Sequence, residues 1–358
     1  MDCSSIPQKN YEKFSGKLHK EAAKKRLSVN GSLAFTYRCN LACSHCYGVV
    51  EPGKKELSTH EVFLVLDEMA DAGCLWLLLT GGEPLLREDF LDIYFYAKRK
   101  GFIVTLFTNG TLLTKEIADT LKSYPPFVVE VTLYGATRQV YERVTGVVGS
   151  FDKCVSGIDL LLNRGISLKL KATLTTVNKE ELVDIEAFAK KKTNTVFRYD
   201  PVLSPKLNGD RKPSAVRISP QDVIALEIAN KKRSKEWSKL FQKFGMPGEL
   251  KKIFNCEAGR TFFHIDPYGQ MRMCEMVRQP AYDILKIGFK KIWDGYFLKE
   301  LALPVESAHP CKNCRSFIFC DICPGWAQLE TGRVQDKVEN LCSIAELRAE
   351  AFGVTVQK

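Results

Sequence analysis

The chain has 358 residues, 45 % hydrophobic and 26 % charged, with a formal net charge of +10. That length and apolar content imply a globular protein of two or three packed units, and no apolar run approaches the ~20 residues of a membrane span. Residues 1–30 are polar with no signal-peptide core, no basic–aromatic repeat points to nucleic acid, and thirteen cysteines clustered at ligand spacing argue for a cytoplasmic metal protein over a disulfide framework.

Part of the positive charge sits in 13–26, a weak helical pattern. It reads as a solvated leading helix or, alternatively, as a dock for an acidic partner peptide. A short apolar strand is predicted over 32–37, and directly after it stand Cys39, Cys43 and Cys46, spaced C-x3-C-x2-C. Three thiolates in eight residues hold three corners of a [4Fe–4S] cubane and leave one iron open to an external ligand, whereas a structural zinc site closes itself with four ligands.

A helix follows from Ser58, with Ser58 and Glu61 as a capping box, Val62, Val65, Leu66 and Met69 as its apolar face and Gly73 as its stop. Residues 74–80 form a near-continuous apolar strand, as expected when both faces are buried. The pattern continues with a helix over 88–100, a strand over 102–107, a helix over 114–123 and a strand over 127–134. A helix over 150–164 capped by Ser150, a strand over 166–176, a helix capped by Asn178 and a strand over 195–199 complete it.

Six strand–helix units predict parallel strands with right-handed crossovers. Six are too few for a closed eight-stranded barrel, so the expected fold class is α/β, a partial (β/α)6 TIM-like barrel. Its polar motifs fall after successive strands: the cysteines, then Thr80-Gly81-Gly82-Glu83-Pro84, Thr108-Asn109-Gly110 and Tyr134-Gly135. In parallel barrels that rim carries the chemistry.

Residues 201–250 read as a linker of proline-rich loop and charged helix, opened by Ser219-Pro220. The loop either closes over a bound peptide or only connects the halves. Seven cysteines then fall within 87 residues: Cys256, Cys274, Cys311, Cys314, Cys320, Cys323 and Cys342. Asp266-Pro267-Tyr268-Gly269 is a turn signal that places Cys256 and Cys274 on a β-hairpin. A cysteine-rich hairpin/α unit of this kind is expected to depend on its metals. Zinc remains the alternative to iron–sulfur there, because C-x2-C pairs also suit zinc. Asp266 and Glu275 flank the hairpin as weak candidates for proton removal from a substrate. Cys74 and Cys154 read as buried small hydrophobes, and Cys3 stands in the N-terminal tail.

The C-x3-C-x2-C run with the following Gly-Gly-Glu-Pro resembles the radical SAM superfamily over about residues 31–200. The resemblance implies that Cys39, Cys43 and Cys46 ligate a cluster whose open iron is chelated by S-adenosylmethionine. Reduction then yields a 5′-deoxyadenosyl radical that abstracts hydrogen from a substrate. It further implies cofactor contacts from Gly81, Gly82, Glu83 and Pro84 at the methionine moiety, His45 at adenine, Thr132 at ribose, Arg143 at the methionine carboxylate and Asn109 at adenosine. From Cys256 the chain resembles a SPASM domain, with one departure: two residues stand between Cys320 and Cys323 where three are usual. By resemblance, Cys256, Cys274 and Cys323 hold a first auxiliary [4Fe–4S] cluster, which has an open iron or a non-cysteine ligand. Cys311, Cys314, Cys320 and Cys342 hold a second.

The implied organisation is a basic extension (1–30), radical SAM barrel (31–200), linker (201–250), SPASM unit (251–345) and tail (346–358). The implied function is maturation of a ribosomally made precursor peptide by a thioether or carbon–carbon cross-link. Formylglycine formation of the sulfatase-maturase type is one alternative, and a non-catalytic iron–sulfur electron carrier is another. Expected partners are the precursor peptide, a flavodoxin or ferredoxin electron donor and, since about thirty residues before the barrel look too short for a leader-binding domain, a separate leader-binding protein.

Overall fold

Alternating apolar strands and capped helices build one nine-stranded sheet, described by a computed structural model over residues 11–193, 195, 197–244 and 250–353. In chain order the barrel elements are α1 (Tyr11–Lys25), β1 (Asn30–Ala34), α2 (Thr59–Asp71), β2 (Trp76–Thr80), α3 (Phe90–Arg99), β3 (Ile103–Thr108), α4 (Lys115–Ser123) and β4 (Val128–Thr132). They continue with α5 (Arg138–Thr145), α6 (Ser150–Leu162), β5 (Leu168–Thr173), α7 (Leu182–Thr193) and β6 (Arg198–Asp200). The linker carries α8 (Pro220–Ala229) and α9 (Lys231–Phe244). Then come β7 (Phe262–Ile265), β8 (Gln270–Arg272), β9 (Tyr282–Asp283), α10 (Ile284–Ile287), α11 (Phe289–Lys291), α12 (Phe297–Leu301), α13 (Pro324–Thr331) and α14 (Glu339–Phe352).

Strand order is β6-β5-β4-β3-β2-β1-β7-β8-β9, parallel from β6 through β7 and antiparallel from β7 to β9. This is the open, partial barrel that six strand–helix units require. Local chemistry explains its helices. Ser58 and Glu61 form both halves of the capping box on α2, and Val62, Val65, Leu66 and Met69 are its buried residues. Burying each such side chain contributes about 1.5–3 kcal/mol. Gly73 leaves the helix at φ +84°, which a side chain would strain.

Three local expectations change. Residues 138–145, given no element above, form α5, capped by the Thr137 side chain and closed by Gly146 at φ +69°. Ser150 is the first residue of α6 rather than its cap, and Gly149 precedes it. Asn178 heads a short 3-10 turn, and its amide instead clamps the β5 exit, accepting from Thr175 N and donating to the carbonyls of Tyr134 and Thr173.

The hairpin is not a unit apart. β7 extends the barrel sheet in parallel register with β1, from Asn30 opposite Phe262 to Leu33 opposite Ile265. Phe263, Ile265 and Met271 join the same apolar core as Leu33, Leu66 and Met69, so this part of the cysteine-rich region is packed into the core of the barrel. α1 docks against the opposite rim, with His19 on the Trp76 ring at 4.5 Å and bonded to Asn30. Among the described residues no helix is long and apolar enough to cross a membrane.

Candidate active site

The cysteine loop leaves β1 and is fixed by backbone on two sides. Gly82 N donates to the Thr36 carbonyl at 2.7 Å and Glu83 N to that of Arg38 at 2.9 Å. A Cβ on Gly81 would stand 2.3 Å from the Thr36 oxygen, and one on Gly82 would stand 2.3 Å from that of Arg38, so glycine is obligatory there for close approach to the protein's own chain. On the far side, Ala42 N donates to the Thr145 carbonyl and Ser44 N to that of Val144. The end of α5 thus holds the loop from beneath.

Donors converge on the first sulfur. Leu41 N lies 3.4 Å from Cys39 Sγ, and Asn109 Nδ2 lies 3.8 Å from it while donating to Asn40 Oδ1. Thr111 completes the network, donating from both its amide and hydroxyl to Asn109 Oδ1 and accepting from Asn40. Such bonds orient a ligand and tune the metal it holds. Burial pushes all three thiols up, Cys43 to about 12, so a bound cation has to hold them as thiolates. Among the described residues no three such side chains close around a point as a single ion requires. Three thiols on one loop are the donor chemistry that a cubane with one open iron takes.

Glu83 is fully buried beneath the loop. It accepts from Thr108 Oγ1 at 2.8 Å, Asn109 N at 2.7 Å and Leu85 N at 3.1 Å, and burial raises its carboxyl to about 7. Its first role is to clasp the β2 and β3 rims. Pro84 follows it, buried, and opens a 3-10 turn. His45 is buried against the Tyr134 ring at 4.9 Å with its Nδ1 unpartnered. Thr132 ends β4 at the wall of a cavity. Arg143 is exposed on α5 and donates to the Val177 carbonyl. A sequence signal for the Asn40–Asn109–Thr111 network existed only as three polar residues in two rim loops.

The later cysteines gather in two sets. Cys274 senses the charges of Cys323 and Cys256, whereas Cys320 senses those of Cys342, Cys311 and Cys314. Cys323 also caps α13, its sulfur accepting from Trp326 N. Cys74 and Cys154 are buried in the core, and Cys3 lies outside the described residues. Asp266 is locked in the hairpin turn: it pairs with Arg272 at 2.5 Å and accepts from Tyr268 N and Gln270 N. Glu275, next to Cys274, accepts from the hydroxyl of Tyr47, which follows Cys46; one hydrogen bond of 3.2 Å thus spans the two cysteine loops. In the linker, Leu207 donates to the Tyr47 carbonyl and packs with Ala34 and Tyr37, so this loop covers the barrel rim.

Residues 33–191 match the family model of the Radical SAM superfamily. The mycofactocin maturase MftC of Mycolicibacterium smegmatis is 30% identical over 299 residues, 80% of this chain and 75% of that protein. The chain belongs to the radical SAM superfamily. It is a radical SAM enzyme that uses a [4Fe–4S] cluster and S-adenosylmethionine. The AdoMet-dependent heme synthase of Methanosarcina barkeri is 28% identical over 321 residues, covering 83% of this chain and 91% of that one. Streptococcus suis SuiB bound to its precursor peptide SuiA shares the fold at TM-score 0.69 and 15% identity, over 96% of this chain and 83% of that one. Native anSMEcpe with bound AdoMet and a peptide does so at 0.67 and 15%, over 90% and 96%.

Proposed function

We propose that this radical SAM enzyme matures a ribosomally made precursor peptide by hydrogen abstraction, forming a thioether or carbon–carbon cross-link. The observation that carries the reading is the 30% identity to a mycofactocin maturase across 80% of the chain. When bound, the first cluster and S-adenosylmethionine supply the 5′-deoxyadenosyl radical. Cys39, Cys43 and Cys46 hold that cluster. Gly81, Gly82, Glu83 and Pro84 shape the methionine end, His45 takes adenine against Tyr134, and Thr132, Asn109 and Arg143 serve the ribose, adenosine and carboxylate. Cys256, Cys274 and Cys323 hold one auxiliary cluster with an open iron or a non-cysteine ligand. Cys311, Cys314, Cys320 and Cys342 hold another. Glu275 stands beside the first set as the better placed of the two proton acceptors, since Asp266 is consumed by Arg272. A flavodoxin or ferredoxin supplies electrons, a separate protein presents the leader, and the reaction takes place in the cytoplasm.

A second reading, a tetrapyrrole substrate, is favoured by the heme synthase, 91% of whose length this chain matches. The electron-carrier alternative does not fit a member of this superfamily. The deciding experiment is anaerobic reconstitution followed by S-adenosylmethionine, dithionite and a cysteine-containing peptide encoded beside the gene. About twelve irons per chain, 5′-deoxyadenosine and a peptide lighter by two hydrogens are expected. An unaltered peptide together with turnover of an iron porphyrin would replace this reading with the second.

A further inference from the structure

The inward faces of β4, β5 and β6 carry charge where a closed barrel packs branched apolar side chains. Strand alternation buries Val129, Val131, Leu168, Leu170 and Ala172 on the helix side. It turns Glu130, Thr132, Lys169, Lys171 and Arg198 toward a cavity of about 1310 Å³. Trp237 from the linker and Trp326 from the C-terminal unit contribute aromatic walls.

The pairing register clusters the cations. Lys171 lies opposite Thr132 on one side and Arg198 on the other, and Lys169 lies opposite Glu130. Glu130 supplies the one ion pair in this group, its Oε2 3.2 Å from Lys171 Nζ, which also lies over the Phe107 ring, while Asp200, on the same β6 face as Arg198, also lines the cavity. Among the described residues neither Lys169 nor Arg198 has a carboxylate within ion-pair distance. Burial pushes Lys171 down to about 8 against the attraction of Glu130, with Arg198 a smaller push in the same direction. The ribose-side candidate Thr132 is the next residue across the sheet, so this surplus charge sits beside the end of the cavity where the cofactor is placed.

We propose that Lys171 and Arg198, with Lys169 behind them, bind a carboxylate of the substrate and so select for it. The inference rests on the reading that a substrate peptide enters this cavity, where the carboxylate is an aspartate or glutamate side chain near the modified residue. A tetrapyrrole would present the same chemistry through its propionates.

The test uses the reconstituted full chain, its Lys171→Met and Arg198→Gln variants, and Arg198→Lys as the conservative control. Iron content and thermal melting establish that each variant is folded and loaded. A randomised library of cysteine-centred dodecapeptides is retained on each protein with S-adenosylmethionine present, and the bound peptides are sequenced. The expected result is enrichment of Asp and Glu over Asn and Gln by roughly tenfold at one or two positions, as a charge-assisted hydrogen bond gives. That enrichment should vanish in Lys171→Met and Arg198→Gln and partly return in Arg198→Lys. Retained peptides without acidic preference, or a preference untouched by the variants, overturns the inference and leaves the peptide reading standing. If no peptide is retained but an iron porphyrin bearing propionates binds, with a visible-band shift lost in Lys171→Met, the carboxylate site stands and the peptide reading falls. Retention of neither overturns the inference.

Discussion

Replacing Arg348 by leucine tests whether a buried ion pair joins the linker to the C-terminal cysteine unit. Arg348 on α14 donates from Nε and Nη2 to both oxygens of Glu227 on α8, at 2.9 and 2.8 Å, and from Nη1 to the Phe319 carbonyl and Asp321. The two side chains of the central pair are 4% and 2% exposed, whereas that of Asp321 is 59% exposed. Loss of the guanidinium leaves the Glu227 carboxylate buried and unpaired, a cost of about 3–5 kcal/mol. The exposed Asp321 bond adds little, and the contact of Arg348 with the Trp237 ring at 4.4 Å is worth on the order of 1 kcal/mol. We therefore expect Arg348→Leu to lower stability by about 4 kcal/mol. Arg348→Lys keeps charge but loses the two-pronged bond and falls between. The Glu227→Leu/Arg348→Leu double variant should recover most of the loss, since no charge is then stranded. Urea denaturation of the anaerobic holoprotein, followed by tryptophan fluorescence, measures all four. Because Asp321 lies between Cys320 and Cys323, iron per chain should fall with the single variant. A cost below about 1 kcal/mol, or a double variant no better than the single, would refute the reasoning.

Three further outcomes follow from the site. Gly82→Ala drives a Cβ to 2.6 Å or closer from the Tyr37 and Arg38 carbonyls, so 5′-deoxyadenosine formation should fall on the order of a hundredfold, while Gly16→Ala, which meets nothing within 4 Å, should leave it intact. Glu83 has its carboxyl raised from 4.5 to about 7, so its contribution to stability is fully present below about pH 4.5 and is lost as pH rises to about 7. Relative to Glu83→Gln, the wild type should therefore lose roughly 3 kcal/mol across that window, read as the pH dependence of the difference in denaturation midpoint; parallel curves would sink the claim. Cys43→Ser and Cys314→Ser should each remove about four irons, with Cys43→Ser abolishing 5′-deoxyadenosine and Cys314→Ser sparing the visible spectrum of the first cluster.

Much of the barrel was legible because its signals are local. The capping box at Ser58, the glycine stop at Gly73 and the apolar strands each act within a few residues, and the structure places them where that chemistry demands. The misses are tertiary. Asn178 has the composition of a helix cap, but three neighbouring backbone groups compete for its amide, and they win. α5 was hidden because it is an extra helix between β4 and β5, outside the strand–helix alternation. The cationic strand faces escaped notice because Lys169, Lys171 and Arg198 read as solvated alternation until register brings them together.

The hairpin was legible as a hairpin but not as the continuation of the barrel, and this difference predicts how the chain tolerates division. β1 carries the cysteine loop, and its outer edge is satisfied by β7. The absence of a Cβ at Gly31 admits the Phe263 ring, which would otherwise stand 2.7 Å away, and Met69 closes on the same point. Phe263 in turn packs on Phe289 and Trp293. A fragment ending at residue 250 keeps every radical SAM motif, yet it exposes the β1 backbone edge and the apolar surface around Leu33 and Met69. Uncovering even a few such side chains, at about 1.5–3 kcal/mol each, consumes most of the 5–15 kcal/mol that holds a folded chain together. An open edge of this kind also pairs with other chains. We expect the fragment to aggregate and to bind no stoichiometric iron even under anaerobic reconstitution. A monomeric fragment by size-exclusion chromatography, carrying about four irons and forming 5′-deoxyadenosine, would show that the barrel stands without the hairpin and that β7 is an accessory strand.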